Sequence, residues 1–205
     1  MWLRRPVFAL VAVLAPATIL DAALPKPQLS PESVSLTGQL LVASTTMGDP
    51  RFQRTVILVV RHNESGAFGI AINRPVGQRT LASLLEKLGE KDAVAGNVQI
   101  FAGGPVQPDL GFVIHTTDYK LADTTAINDD VALTASPDIL RDIGRHKGPQ
   151  KAIVVFGYAG WGSNQLEAEL AHNAWFTITA DSALIFDAAR DRVWEEAVAR
   201  RPRAQ

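Results

Sequence analysis

Thr55-Val56-Ile57-Leu58-Val59-Val60-Arg61, the turn-like Asn63-Glu64-Ser65-Gly66 and the run from Ala67 to Asn73 decide the fold. Val56 to Val60 form an uninterrupted apolar block, which predicts a central strand buried on both faces. The four-residue punctuation after it is turn chemistry, and a second strand follows at once. An antiparallel hairpin is therefore the shortest connection. Pro75 has no N–H to give to a ladder and pushes Arg74 towards an extended conformation, so regular pairing is expected to stop there.

Working outward, Gly38 to Ala43 reads as a strand upstream of the hairpin. Downstream, Leu81, Leu84, Leu85 and Leu88 fall at i, i+3, i+4, i+7 and predict an amphipathic helix over 80–88, ended by Gly89. Strands are expected at 98–102 and 111–116, flanking Gly103-Gly104-Pro105, and more weakly at 131–134. A helix begins near Ser136-Pro137, and 151–158 is another buried strand. Asn164 is placed to cap a helix running to about His172, with Glu167 three positions on to close a capping box. Strands at 175–179 and 183–186 and a terminal helix over 190–200 complete the chain. No repeat of 20–50 residues is visible. Mixed hairpins and helices exclude a regular Rossmann or barrel order and predict a single α+β domain over residues 36–205.

With 205 residues, 47% hydrophobic and 20% charged, the chain is long enough for a core and is not disordered, collagenous or a coiled coil. Lys+Arg 20 against Asp+Glu 21 leaves a formal charge of -1, which offers no field for phosphate backbones or acidic membranes. Nucleic-acid binding has no support in this balance. The absence of cysteine removes thiol chemistry, iron–sulfur ligation and disulfides together.

The first residues carry a separate message. Met1 to Arg5 is basic, Val7 to Leu14 is apolar, and Ala15-Pro16-Ala17 is a small-residue cleavage pattern, so 1–17 reads as a secretory signal peptide. The apolar stretch is too short for a permanent membrane span. Its removal takes away Arg4 and Arg5, moving the charge from -1 by two units to -3. Residues 18–35, with Pro25, Pro27 and Pro31, read as a linker. Cleavage would place the domain outside the cytoplasm, in the periplasm; without it the protein is cytoplasmic.

Chemistry-bearing residues are sparse. His62, His115, His146 and His172 share no metal-ligand spacing, so no metal and no cofactor are expected, and the short motifs of serine hydrolases, dinucleotide folds and P-loops are absent. Glu167 and Glu169 are about 200° apart around a helix and cannot work as an acid/base pair. Arg74, beside Asn73 at a strand end, can fork onto a carboxylate or phosphate, or clamp a carbonyl. Gly103 and Gly104 can turn their amides towards an anion, or simply make a tight turn. His115, at the end of a strand, is either a proton carrier or a hydrogen-bonded core histidine. The segment Tyr158-Ala159-Gly160-Trp161-Gly162-Ser163-Asn164-Gln165-Leu166-Glu167 is the densest, a glycine-rich strand-to-helix bend that either builds a ligand site or plugs the core with Trp161.

Several blocks in order resemble the YqgE/AlgH family of bacterial proteins. They are Leu36-Thr37-Gly38-Gln39-Leu40-Leu41-Val42-Ala43, Gly66 through Pro75, the tract from Gly103-Gly104-Pro105-Val106, Gly111-Phe112-Val113-Ile114-His115, Gly157 through Trp161, Gln165-Leu166-Glu167 and Trp175. The resemblance covers 36–200. Thr45 and Thr46 stand where the family usually has a proline, Leu110 replaces the usual basic residue before Gly111, and the leader is atypical. The resemblance implies an α+β fold with a large mixed, mainly antiparallel sheet and flanking helices. It also implies an activity that is not established, some members being labelled transcriptional regulators. No basic recognition helix is present to support operator reading. The leading expectation is a non-enzymatic binding or regulatory module in which Asn73, Arg74, Gly103, Gly104, His115, Gln165 and Glu167 line a polar cleft for a small anionic ligand or a protein segment. The alternative is a hydrolase with Glu167 or His115 as general base.

Overall fold

In the computed structural model, which describes residues 35–87, 89 and 95–201, strand β1 (Gln39–Ala43) leads into the expected hairpin of β2 (Val56–Asn63) and β3 (Gly66–Ala71). The leader at 1–17 and almost all of the linker at 18–35 lie outside the described residues. Val56 to Val59 are fully buried, and their side chains alternate between two cores. Val56 and Leu58 join Leu40 and Ile70 on the inner face of the sheet, while Ile57 and Val59 join Leu41 and Ala67 on the outer face. Each of these valine, leucine and isoleucine side chains contributes about 1.5–3 kcal/mol by leaving water.

The chain continues through β4 (Pro75–Thr80), α1 (Leu81–Lys87), β5 (Asn97–Ala102), β6 (Val106–Thr116), β7 (Thr125–Ala126) and β8 (Val131–Thr134). It then forms α2 (Asp138–Gly144), β9 (Ala152–Trp161), α3 (Gln165–Ala171), β10 (Trp175–Thr179), a π-helical turn (Ala183–Asp187) and α4 (Val193–Ala199). The ten strands among the described residues form one sheet in the order β10-β1-β2-β3-β9-β6-β8-β7, with the β4–β5 hairpin attached to β9 through β5. Every pairing is antiparallel except β5 with β9. The domain is thus a single curled, mainly antiparallel sheet with a few short helices. Helices α1 and α2 cover a third cluster around Leu85, Ile139 and Val154. No helix among the described residues is long and apolar enough to cross a membrane.

Strand β9 is the seam. Its residues 154–156 pair with β5 and its residues 159–161 with β3 on one flank, while β6 runs along the other. At the changeover stands Gly157, with φ +75°. The β5–β6 link crosses β9 here: a Cβ on Gly104 would sit 2.2 Å from the Tyr158 carbonyl carbon, and one on Gly103 would sit 2.2 Å from the Gly157 oxygen. Only glycine permits that approach. The Gly103 N–H donates to the Phe156 carbonyl at 2.7 Å, and the Gly103 carbonyl accepts from the Ala71 N–H at 2.8 Å.

Three local expectations are corrected. Pro75 does enter a ladder, opposite Phe101, because it is the first residue of an edge strand and a bulge follows before Gly77. Residues 183–186 are not a strand: Leu184 and Ile185 are buried in succession, which a strand with one wet face cannot do, and the Asp181 side chain accepts the Ala183 N–H at 2.8 Å to start the turn. Asn164 adopts φ +59° and its side chain caps nothing; Gln165 Oε1 takes the Gly162 N–H at 3.1 Å instead.

Candidate functional site

Helix α3 packs on the outer face through buried Leu166, which sends Glu167 and Glu169 to different neighbours. Glu169 Oε2 accepts two indole N–H groups, from Trp161 at 2.9 Å and Trp175 at 2.8 Å. Its Oε1 accepts from Gln165 Nε2 at 3.0 Å, an i,i+4 pair on one helix face. The two indoles meet edge to face at 6.2 Å, and Phe52 meets Trp175 in the same way at 5.6 Å. Together with Met47, these groups wall a recess of about 420 Å³. Asp49 and Arg51 stand at its rim, joined by a 2.7 Å ion pair in which the guanidinium holds the Asp49 carboxyl below its usual range. With that pair neutralised, the uncompensated charge among the described residues lining the recess is the Glu169 carboxylate.

Asn73 and Arg74 lie beneath the loop that carries Met47, Arg51 and Phe52. Asn73 Oδ1 accepts the Val56 N–H at 2.9 Å and its Nδ2 donates to the Arg54 carbonyl at 2.9 Å. Arg74 donates to the Gln53 carbonyl at 2.9 Å and, from Nε and Nη2, to Thr55 Oγ1 at 2.9 and 2.7 Å. Burial draws the Arg74 pKa below its ordinary value. Both residues therefore position the loop. Gly103 and Gly104 immediately precede Pro105 and Val106, which line the recess.

The other two candidates lie elsewhere. Glu167 Oε1 is 2.7 Å from His62 Nε2. The Leu36 N–H donates to His62 Nδ1 at 3.1 Å, which makes Nδ1 the acceptor and assigns the ring proton to Nε2. His115 is fully buried at the opposite end of β9, paired across the ladder with Ala152, about 30 Å of strand path from Trp161. Its Nδ1 lies 2.8 Å from the Thr116 carbonyl and its Nε2 2.9 Å from Thr134 Oγ1. Burial lowers its pKa. Gln165 thus lines the recess, Asn73, Arg74, Gly103 and Gly104 support it, and Glu167 and His115 do not converge with it or with each other.

Sequence reasoning missed Glu169, Trp175, Phe52 and Met47 as site residues. For Glu169 the i,i+4 spacing to Gln165 was a usable signal. Phe52 and Met47 carry none, because only tertiary bonds bring their loop over α3. Among the described residues no three His, Asp or Glu side chains are grouped to hold a metal ion.

The fold has known counterparts. The AlgH-like family model matches residues 40–203. A UPF0301 protein of Thioalkalivibrio sulfidiphilus is 43% identical over 169 residues, covering 82% of this chain and 90% of its own. One from Azoarcus sp. strain BH72 is 46% identical over 158 residues, covering 76% and 83%. The solution structure of the AlgH protein from Pseudomonas aeruginosa superposes with a TM-score of 0.71 at 40% identity, covering 83% of this chain and 91% of that one. A Corynebacterium diphtheriae protein shares the fold at 18% identity and a TM-score of 0.64, covering 81% and 87%. The chain belongs to the AlgH-like family.

Proposed function

We propose that this domain is a non-enzymatic binding module whose aromatic recess takes a segment of a partner protein, with a lysine or arginine side chain set against Glu169. The observation that carries this reading is the Glu169 carboxylate, held by two indoles and one amide and bonded to no cation among the described residues. A carboxylate among aromatic walls favours a cation that can shed water onto ring surfaces. The groups suited to an anion, Arg74 and the Gly103 amide, are already bonded inside the fold. The separation of His115 from Glu167 favours binding over hydrolysis, since a general base and its partners must meet at one substrate. The seven-residue helices and the charge of -1 favour protein contact over operator reading as the route of any regulatory effect.

The test is a titration of the ¹⁵N-labelled chain with acetyl-Gly-Lys-Gly-amide and acetyl-Gly-Arg-Gly-amide, read at the indole N–H resonances of Trp161 and Trp175. Norleucine in place of lysine and inorganic phosphate are the controls. The cationic peptides should move both resonances, and Glu169→Gln should abolish the response. Movement by phosphate, or equal movement by the norleucine peptide, would overturn the reading. Export by the 1–17 leader belongs to the same proposal, because it decides which partners are met. N-terminal sequencing from fractionated cells should find a mature chain beginning near Thr18 outside the cytoplasm, and an uncleaved cytoplasmic chain refutes it.

A further inference from the structure

On the opposite face of the sheet from the aromatic recess, two interruptions of strand register meet. The β2–β3 ladder shifts between Val59 and Arg61, so Val60 and Arg61 line the same opening. In β6, Val106 pairs with Tyr158 and Gly111 with Phe156, so five residues of β6 advance against two of β9 and the segment 107–110 stands out. Bulges of this kind re-aim side chains and gather at sheet rims and binding sites. Both open onto a depression of about 560 Å³.

Its wall is aromatic. Phe68 meets Tyr158 at 4.8 Å and Phe112 at 5.7 Å, and all three pack on the inner core. Leu110 stands at the rim, 41% exposed, one of two large apolar side chains so exposed among the described residues. Gln107, also lining it, holds φ +46°, a conformation that a non-glycine residue adopts at a cost. Among the described residues, Arg61 supplies the one charge lining the depression. Arg51, Arg54, Arg74, Arg190 and Arg200 are each bonded to a carboxylate, a carbonyl or a hydroxyl. The Arg61 guanidinium has no hydrogen bond or ion pair among the described residues, and neither does the Tyr158 hydroxyl.

We propose that this depression is a second binding site, for a small molecule that joins a flat aromatic ring to a carboxylate or phosphate. The ring packs on the Phe68–Tyr158 cluster beneath Leu110, and the anion lies in the guanidinium fork of Arg61. The site is separate from the Glu169 recess and opposite to it in charge, so either can fail without the other.

The probes are 2-naphthoate and 2-naphthyl phosphate, with 2-naphthol as the uncharged ring and acetate and inorganic phosphate as ringless anions. They are titrated into the labelled full chain and read at the Phe68 and Tyr158 ring resonances and the Gln107 amide. One or both aryl anions should move these signals and bind about tenfold tighter than 2-naphthol, while acetate and phosphate leave them in place. The tighter of the two aryl anions assigns the ligand to the carboxylate or the phosphate class. Arg61→Gln should weaken the aryl anions about tenfold and leave 2-naphthol unchanged. Because Arg61 is exposed, an unchanged melting temperature confirms that the variant is folded. The proposal is overturned if 2-naphthol binds as well as the anions, if Arg61→Gln has no effect, or if the shifts map to Trp161 and Trp175.

Discussion

The two depressions share one partition and treat their polar groups in opposite ways. Val106, Ala159 and Trp161 line the outer recess, whereas Gln107 and Tyr158, from the same two strands, line the inner-face depression. In the recess the polar atoms answer one another: Trp161 and Trp175 are 7% and 3% exposed, and Glu169 accepts both of their N–H groups. In the depression the Arg61 guanidinium reaches solvent and is bonded to none of the described residues. Burial forces pairing, and pairing makes a rigid preformed site. Exposure leaves a charge available to be recruited, at the expense of ordering it on binding.

The severest way to break this contrast is Gly104→Ala, which drives a methyl into the backbone of Tyr158 in the shared partition. A loss on the order of 4 kcal/mol or more is expected, with both depressions collapsing together in a urea titration followed by near-ultraviolet circular dichroism. Glu169→Ala separates them. It leaves two buried indole N–H groups without an acceptor at about 1–3 kcal/mol each, so it should cost about 2–6 kcal/mol and erase tryptophan dichroism while the Tyr158 ring resonances stay put. Asn73→Ala acts on the recess from below, stranding the Val56 N–H, and should cost about 1–2 kcal/mol while speeding amide exchange in the loop 48–54.

His115 provides a reference outside both regions. Burial holds its pKa below the ordinary 6.5, so the unfolded chain takes up the proton first as pH falls. Its contribution is fully present above about pH 6.5 and is lost as pH drops from there through the folded-state pKa. Denaturant midpoints measured from pH 7.5 to 5 should decline, and His115→Gln should flatten that decline. Smallest of all, Arg51→Ala breaks an exposed ion pair at the recess rim and should leave the melting temperature unchanged.

Much of the sheet was legible because apolar runs such as Val56–Val60 and Ile153–Phe156 announce themselves without help from neighbours. Strand β4 was not legible, since Gly77, Gln78 and Arg79 carry no strand pattern and pair only because β5 lies beside them. In the candidate site, Arg74 was recognised as a fork, but its targets, the Gln53 carbonyl and the Thr55 hydroxyl, belong to a loop whose path no local rule predicts. Arg61 was invisible for a sharper reason. Strict alternation sends it to the face opposite Val60, and the bulge that cancels the alternation leaves no trace in composition.

The position of β9 carries a consequence for how the protein is made. Three strands that precede it by many residues, β3, β5 and β6, present open edges until it arrives between them. From the end of β6 at Thr116 to the end of β9 at Trp161, roughly 45 residues must be synthesised, which takes several seconds at about 5–20 residues per second. During that interval the nascent chain exposes unpaired, apolar strand edges of the kind that seed aggregation. Such late long-range closure also places the domain among slow folders, so the demand on chaperones falls on one short window of its synthesis.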